Sequence, residues 1–294
     1  MARRSRNNSR QDSGASGALL IDKPSGMTSH DVVDRIRKTL GTRKVGHAGT
    51  LDPDATGLLV LGVGPGTKLL QFVTGADKTY DGEIAFGVET STLDAAGDVT
   101  ATHDMEFSPL EAAAAAATFV GPIEQIPPMV SAVRIDGKRL HELARQGVEV
   151  DRPPRAVTIN EFELFPTPDP LRYRFVVSCS SGTYIRTLAA DLGHALGGGA
   201  HLASLRRTIV GAFELAGASP LDEPQLLPVA TLLRGMPIIE VDETVAAQVR
   251  NGRSLGPAGG EGQIAVQGPD GRLLAVYAAN DGEFRPVKVL VGNN

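Results

Sequence analysis

The sequence predicts an α+β protein, with one large domain of strands and helices and a small β-rich module at its end. Three observations lead there. Residues 78–88 alternate at period two, which puts Tyr80, Gly82, Ile84, Phe86 and Val88 on one face of a strand. Residues 28–41 carry a helix with its own start, apolar stripe and stop: Thr28 as cap, Val32, Val33, Ile36 and Leu40 inward, and Gly41 as terminator. Beyond about residue 238 the chain breaks into three short strand-like runs, 263–266, 273–278 and 284–290, separated by Gly and Pro turns.

Composition narrows the function classes. The chain has 294 residues, and 41% of them are hydrophobic, which supports a real core. No apolar run reaches the roughly 18 residues of a membrane helix. The amino-terminal stretch, with Arg3, Arg4, Arg6 and Arg10 among Ser and Asn, has no secretory apolar core. A single cysteine, Cys179, excludes an internal disulfide and a multi-cysteine zinc site, and reads as a packed strand residue. These features point to a cytoplasmic protein without a membrane partner. The net charge of −5 argues weakly against nucleic acid, but a basic stripe can exist on an acidic protein.

Taken in order, residues 1–15 form a polar, basic, disordered tail. A short strand, residues 18–21, runs into a Pro/Gly turn and then the helix just described. Lys23, in that turn, is open to two readings, a phosphate contact or a solvent-facing lysine. Next comes Gly46-His47-Ala48-Gly49-Thr50-Leu51-Asp52-Pro53-Asp54-Ala55-Thr56-Gly57. This stretch puts the Asp52 carboxylate in a loop of small residues, and Pro53 biases Asp52 away from helix. The apolar run Leu58-Leu59-Val60-Leu61 reads as a buried strand, so Asp52 sits at the lip of a core element. Taken alone, Asp-Pro with flanking glycines is also an ordinary turn.

Thr67 is placed to cap a short helix carrying Leu69, Leu70 and Phe72. Tyr80 opens the alternating strand, and its position fits a core tyrosine as well as a site residue. Residues 90–108 are polar and read as a loop. Ser108-Pro109-Leu110-Glu111 is a capping box that opens an alanine-rich helix to about Phe119. Residues 137–145 read as a basic helix on which Lys138, Arg139 and Arg145 either face phosphate or are simply solvated. Two strands follow, 157–164 and 171–178. The second leads through Cys179-Ser180-Ser181-Gly182 to a helix capped by Thr183 with Ile185, Leu188, Ala189 and Leu192 inward. A helix start after a small-residue turn suits an anion. Arg186 lies in its first turn, and can alternatively be a surface arginine paired with an acid such as Asp191. Residues 219–221 and 227–233 read as short helices that close the large domain. In the small module, Val245, Ala246 and Val249 mark one face of a helix running into Asn251-Gly252.

Several strings together resemble one family. The Gly-His-x-Gly-x-Leu-Asp-Pro loop, the Asp-Lys-Pro-x-Gly-x-Thr-Ser string at 22–29, Lys-x-Tyr at 78–80, Pro-Pro-x-x-Ser-Ala at 127–132 and Ser-Gly-Thr-Tyr-Ile-Arg at 181–186 are similar, in order, to the motifs of the TruB family of tRNA pseudouridine synthases. One departure is Val130, where many members carry an aromatic. The resemblance covers residues 17–207 well and the remainder weakly. It implies a mixed, mainly antiparallel sheet with helices, the pseudouridine synthase fold, over residues 16–236, and a PUA-like RNA-binding module over 237–294.

The resemblance also implies roles. Asp52 is the catalytic aspartate, Arg186 binds its carboxylate, and Tyr80 stacks on the target uracil. Tyr184 and Leu205 line the base pocket; His47, in the same loop as Asp52, either contacts the RNA where the base has left its stack or is a packed histidine. Lys23, Lys138, Arg139 and Arg145 are candidate contacts to the RNA backbone, while the string around Lys23 mainly supports the Asp52 loop. The partner implied is the TΨC stem-loop of tRNA, and the target its uridine-55, reached by base flipping. No metal or cofactor is expected, and the protein is expected to be a monomer. Two other readings are a noncatalytic tRNA-binding or tRNA-folding protein and a carboxylate glycosidase with Asp54 as second carboxylate. The residues leave open whether Asp52 attacks C1′, attacks C6 or takes a sugar proton.

Overall fold

The computed structural model describes residues 13–129, 150–257 and 261–290, together with the backbone of 134–135 and 138–139. The large domain begins with β1 (Gly17–Lys23), α1 (Ser29–Leu40), β2 (Val45–His47) and β3 (Thr56–Val63). A 3-10 turn, Gly64–Leu69, and the four-residue α2 (Gln71–Thr74) lead into β4 (Lys78–Phe86). Next come β5 (Val88–Thr90), β6 (Val99–Thr102), α3 (Pro109–Ala117), β7 (Gly121–Gln125), and the short β8 (Arg134–Ile135) and β9 (Lys138–Arg139). The domain continues with β10 (Arg155–Pro166), β11 (Arg172–Cys179), α4 (Ile185–Ala195), β12 (Ala200–Val210), β13 (Phe213–Glu214) and β14 (Ser219–Pro220). The small module holds β15 (Ile238–Glu240), α5 (Glu243–Arg250), β16 (Leu255–Pro257), β17 (Gln263–Gln267), β18 (Leu273–Asn280) and β19 (Glu283–Val289).

The central sheet runs β14-β1-β3-β12-β4-β11-β10-β7, with β2 on β3 and β13 on β12. Its neighbours are antiparallel except at β1–β14 and β3–β12, so the sheet is mixed and mainly antiparallel. The second sheet, β15-β17-β18-β19-β16, is the β-rich module. Both match the architecture expected.

The local rules hold where a side chain serves one partner. Thr28 and Asp31 form a reciprocal capping box on α1, and Gly41 ends it at φ +63°. Ser108 and Glu111 do the same for α3. In β3, Leu58, Leu59, Val60 and Leu61 are fully buried, as a strand covered on both faces requires. One apolar cluster, containing Leu58, Val60, Leu232, Ala265 and Val276, joins the large domain to the module.

Five expectations need correction. Thr67 caps no helix: it lies inside the 3-10 turn, its hydroxyl donates to Gly64 O (2.7 Å), and Leu70 precedes α2. Residues 90–108 hold more than a loop: β5 and β6 pair as a hairpin, and Asp94 near its tip bridges to Leu202 of β12. Its strand Val99–Thr102 is largely exposed, so no apolar period marks it. Ser219–Pro220 is an edge strand beside β1, a place that tolerates proline. Thr183 does not cap α4; its hydroxyl donates to Ser180 O, and Tyr184 is the cap residue. Residues 138–139 pair with 134–135 as strands instead of opening a helix. The sequence Asp-Gly between them is a hairpin signal. The rest of that expected helix, with Arg145, lies outside the described residues, as do Val130 and the first twelve residues of the expected tail. Ser13 donates its hydroxyl to Leu40 O at the end of α1.

Candidate active site

The site grows from the loop between β2 and β3. Its carbonyls and amides are pinned from several directions. The Ser29 hydroxyl donates to Leu51 O (3.1 Å) and accepts from Leu51 N–H (2.9 Å). Lys23 Nζ donates to Pro53 O (2.9 Å) and Pro24 O (2.8 Å). Gly26 N–H donates to Pro53 O, and Arg207 Nη2 to Gly49 O (3.2 Å). These bonds leave the Asp52 carboxylate aimed at α4.

Arg186, in the first turn of α4, meets it there. Arg186 Nε lies 3.1 Å from Asp52 Oδ2, and Nη2 lies 3.4 Å from Oδ1, a two-pronged contact. The same guanidinium turns Nη1 to Asp94 Oδ2 (3.2 Å) and to Thr92 O (3.2 Å). Arg186 is buried, while Asp52 is half-exposed at the cavity mouth. Burial pushes the Asp52 carboxyl above its ordinary value, and Arg186 pulls it back. Arg186 therefore pairs with Asp52 and Asp94, not with Asp191.

A cavity of about 420 Å³ opens beside this pair. Its wall brings together Asp52, Tyr80, Tyr184, Arg186 and Leu205 from the sequence expectation. Tyr80 of β4 stands opposite Arg207 of β12, and Leu205 stands opposite Gly82. Tyr80 is nearly fully buried, and burial raises its phenol above the ordinary tyrosine value. Tyr184 is held through its peptide: Tyr184 N–H donates to Gln125 Oε1 (2.9 Å), and Gln125 Nε2 donates to Tyr184 O (3.3 Å).

Two other expected site residues do not line the cavity. His47 lies on β2 opposite Leu61, outside the cavity wall, and burial lowers its pKa. Lys23 is no RNA-backbone contact: it is fully buried beneath the Asp52 loop, and burial lowers its ammonium below the ordinary lysine value. An exposed turn lysine was the wrong model for it because its amine replaces lost water with two carbonyls. The side chains of Lys138, Arg139 and Arg145 lie outside the described residues. Asp54, the second carboxylate of the glycosidase reading, does not line the cavity. The sequence reading missed Asp94, Gln125, Lys78 and Arg207. Lys78 and Arg207 also line the cavity and are buried. Lys-x-Tyr spacing on one strand was a usable signal for Lys78, since residues two apart share a face.

Comparison with known proteins gives the family. A family model described as TruB family pseudouridylate synthase (N terminal domain) matches residues 37–185, and two models of the TruB carboxy-terminal regions match 186–231 and 236–291. The tRNA pseudouridine synthase B of Geobacillus thermodenitrificans is 42% identical, covering 93% of this chain and 99% of its own length. The chain belongs to the TruB family of tRNA pseudouridine synthases. The Symbiobacterium thermophilum member is 50% identical over 80% of this chain and 82% of its own. A solved structure titled as a Cbf5-Nop10-Gar1 complex superposes with a TM-score of 0.71 at 25% identity, covering 94% of this chain and 85% of that one. This TruB-family enzyme is thus an isomerase that turns uridine into pseudouridine. Among the described residues no helix is long and apolar enough to cross a membrane.

Proposed function

We propose that the chain isomerises the TΨC-loop uridine of tRNA, uridine-55, to pseudouridine. The observation that carries this reading is the Asp52 carboxylate, gripped by buried Arg186 at the mouth of a cavity walled by Tyr80, Tyr184 and Leu205. A uracil inside a folded stem-loop reaches such a recess only by leaving its stack. In the cavity, Tyr80 packs against the base while Tyr184 and Leu205 supply apolar wall. Asp52 acts on the ribose or on C6, the N1–C1′ bond breaks, and the base turns and rejoins through C5. Arg186 keeps Asp52 ionised and aimed, offsetting the cost of its burial. His47, on the strand leading into the loop, meets RNA beside the emptied stack. Residues 16–236 form the catalytic domain and residues 237–294 an RNA-binding module. The enzyme works as a cytoplasmic monomer.

The test is a map of pseudouridine in an unmodified tRNA transcript after incubation with the protein. The expected result is one modified position, in the TΨC loop, and none when that uridine is replaced by cytidine. Modification at another position, or none in either transcript, contradicts the assignment.

A further inference from the structure

The cavity holds two cations that the pairing of Asp52 with Arg186 does not use. Lys78 donates to Thr74 O (3.1 Å) and Ala76 O (2.6 Å), the last carbonyls around α2. Arg207 donates from Nε to Leu58 O (2.8 Å) and from Nη2 to Gly49 O (3.2 Å). All four partners are neutral. Among the described residues neither side chain has a carboxylate within 4.0 Å, the limit for an ion pair. The two converge: a methyl group on Gly49 would lie 3.4 Å from Lys78 Cε and 3.5 Å from Arg207 Nη1. Their exposures are 6% and 0%. Two like charges, buried together with no carboxylate in ion-pair contact, are costly, and such cost concentrates where a ligand brings the missing charge.

We propose that Lys78 and Arg207 form an electrostatic cradle for the negative charge that the uracil ring carries during the reaction. This inference rests on the pseudouridine synthase reading of the site. The charge arises on the base by each route open to Asp52. If Asp52 bonds to C1′, the C1′–N1 bond breaks and its electron pair stays on N1, shared with O2 and O4. If Asp52 bonds to C6, the C5–C6 π pair moves onto O4. If Asp52 takes the C2′ proton, the C2′–H pair becomes the C1′–C2′ double bond and the C1′–N1 pair leaves with N1. In every case one unit of negative charge passes from the carboxylate to the base. It returns when C5 bonds to C1′ and the carboxylate is freed, from C1′, from C6 or by giving its proton back to C2′; the C5 proton then leaves the ring and N1 takes one up. Fixed cations along the cavity wall stabilise that state more than neutral bound uridine, which is the condition for raising the rate.

The experiment measures the single-turnover rate of pseudouridine formation and the Kd for the same tRNA transcript, using full-length wild type, Lys78→Met and Lys78→Arg. Lys78→Met keeps the aliphatic stem and is expected to slow the chemical step about 100-fold, with Kd unchanged within about 3-fold. Lys78→Arg keeps the charge and is expected to recover most of that rate. A pH profile adds a readout that a packing role does not move. Lys78 faces Arg207 on β12, Cys179 on β11 and Asp77 in the turn just before its own strand, and burial brings its pKa down to about 8. The wild-type rate should therefore fall as pH rises through about 8, while Lys78→Arg holds its rate to higher pH. Near-wild-type chemistry in Lys78→Met, or equal losses in the Met and Arg variants, overturns the cradle. So does a wild-type rate that stays flat to about pH 9.5, even if neither variant folds. A wild type that forms no pseudouridine in tRNA at all is a different failure, that of the functional reading itself.

Discussion

Arg186 is shared between Asp52 and Asp94: Nε and Nη2 face the first carboxylate while Nη1 faces the second at 3.2 Å. Asp94 reaches this place from the tip of a hairpin far from α4 in sequence, and the Thr92 hydroxyl holds its other oxygen. One guanidinium thus holds two acids, and the second acid fixes the guanidinium.

Asp94 is therefore a positioning residue. Asp94→Ala should slow the chemical step by about 10- to 100-fold, the cost of a misaimed catalytic group, with tRNA affinity nearly unchanged. Single-turnover rates beside filter-binding Kd values separate the two. Asp94→Glu, which keeps the charge, should recover part of the rate.

Asp52 is placed at some cost in stability. Its folded-state pKa is raised, so the folded protein holds the proton more tightly than the unfolded chain. The resulting stability is present below the ordinary aspartate value of 3.8 and is lost as pH rises through the higher folded value. Asp52→Asn removes that slope. Thermal melts of both proteins across this range should show the variant gaining on wild type as pH rises to 7.

Lys23 gives the opposite outcome. Its buried amine donates to the carbonyls of Pro24 and Pro53, so Lys23→Ala removes two charge-assisted bonds and should cost about 1–3 kcal/mol. Denaturant titration measures this. If the protein is held well below its unfolding midpoint, tRNA affinity should not change, whereas a phosphate contact would weaken and lose salt dependence.

Gly57, the second residue of β3, has φ +98°, and an added Cβ would lie 2.3 Å from the carbonyl oxygen of Arg207 on the parallel neighbour β12. Both the backbone strain and the clash forbid a side chain here. Gly57→Ala should lower stability by at least about 2 kcal/mol, seen as a drop in Tm, and should loosen the Asp52 loop that β3 anchors.

The parts of this molecule that were readable in advance share a property: they follow from contiguous residues. The capping boxes at Thr28 and Ser108, the buried run Leu58 to Leu61 and the period-two strand around Tyr80 each declare themselves within about ten residues. Asp52 and Arg186 were legible through their strings. Asp94 and Gln125 were not, because an isolated polar residue on a hairpin or strand end carries no sign of its distant partner. Lys23, Lys78 and Arg207 escaped for a related reason. A lysine or arginine reads as solvent-facing until the fold shows which carbonyls surround it.

The most direct test of the account is pseudouridine formation by wild type and Asp52→Asn in an unmodified tRNA transcript, with enzyme in excess so that all tRNA is bound. The account predicts rapid conversion by wild type and a rate at least about 1000-fold lower for Asp52→Asn at equal tRNA occupancy. Equal rates from the two proteins would contradict it, since the isomerisation would then proceed without the carboxylate around which the site is built.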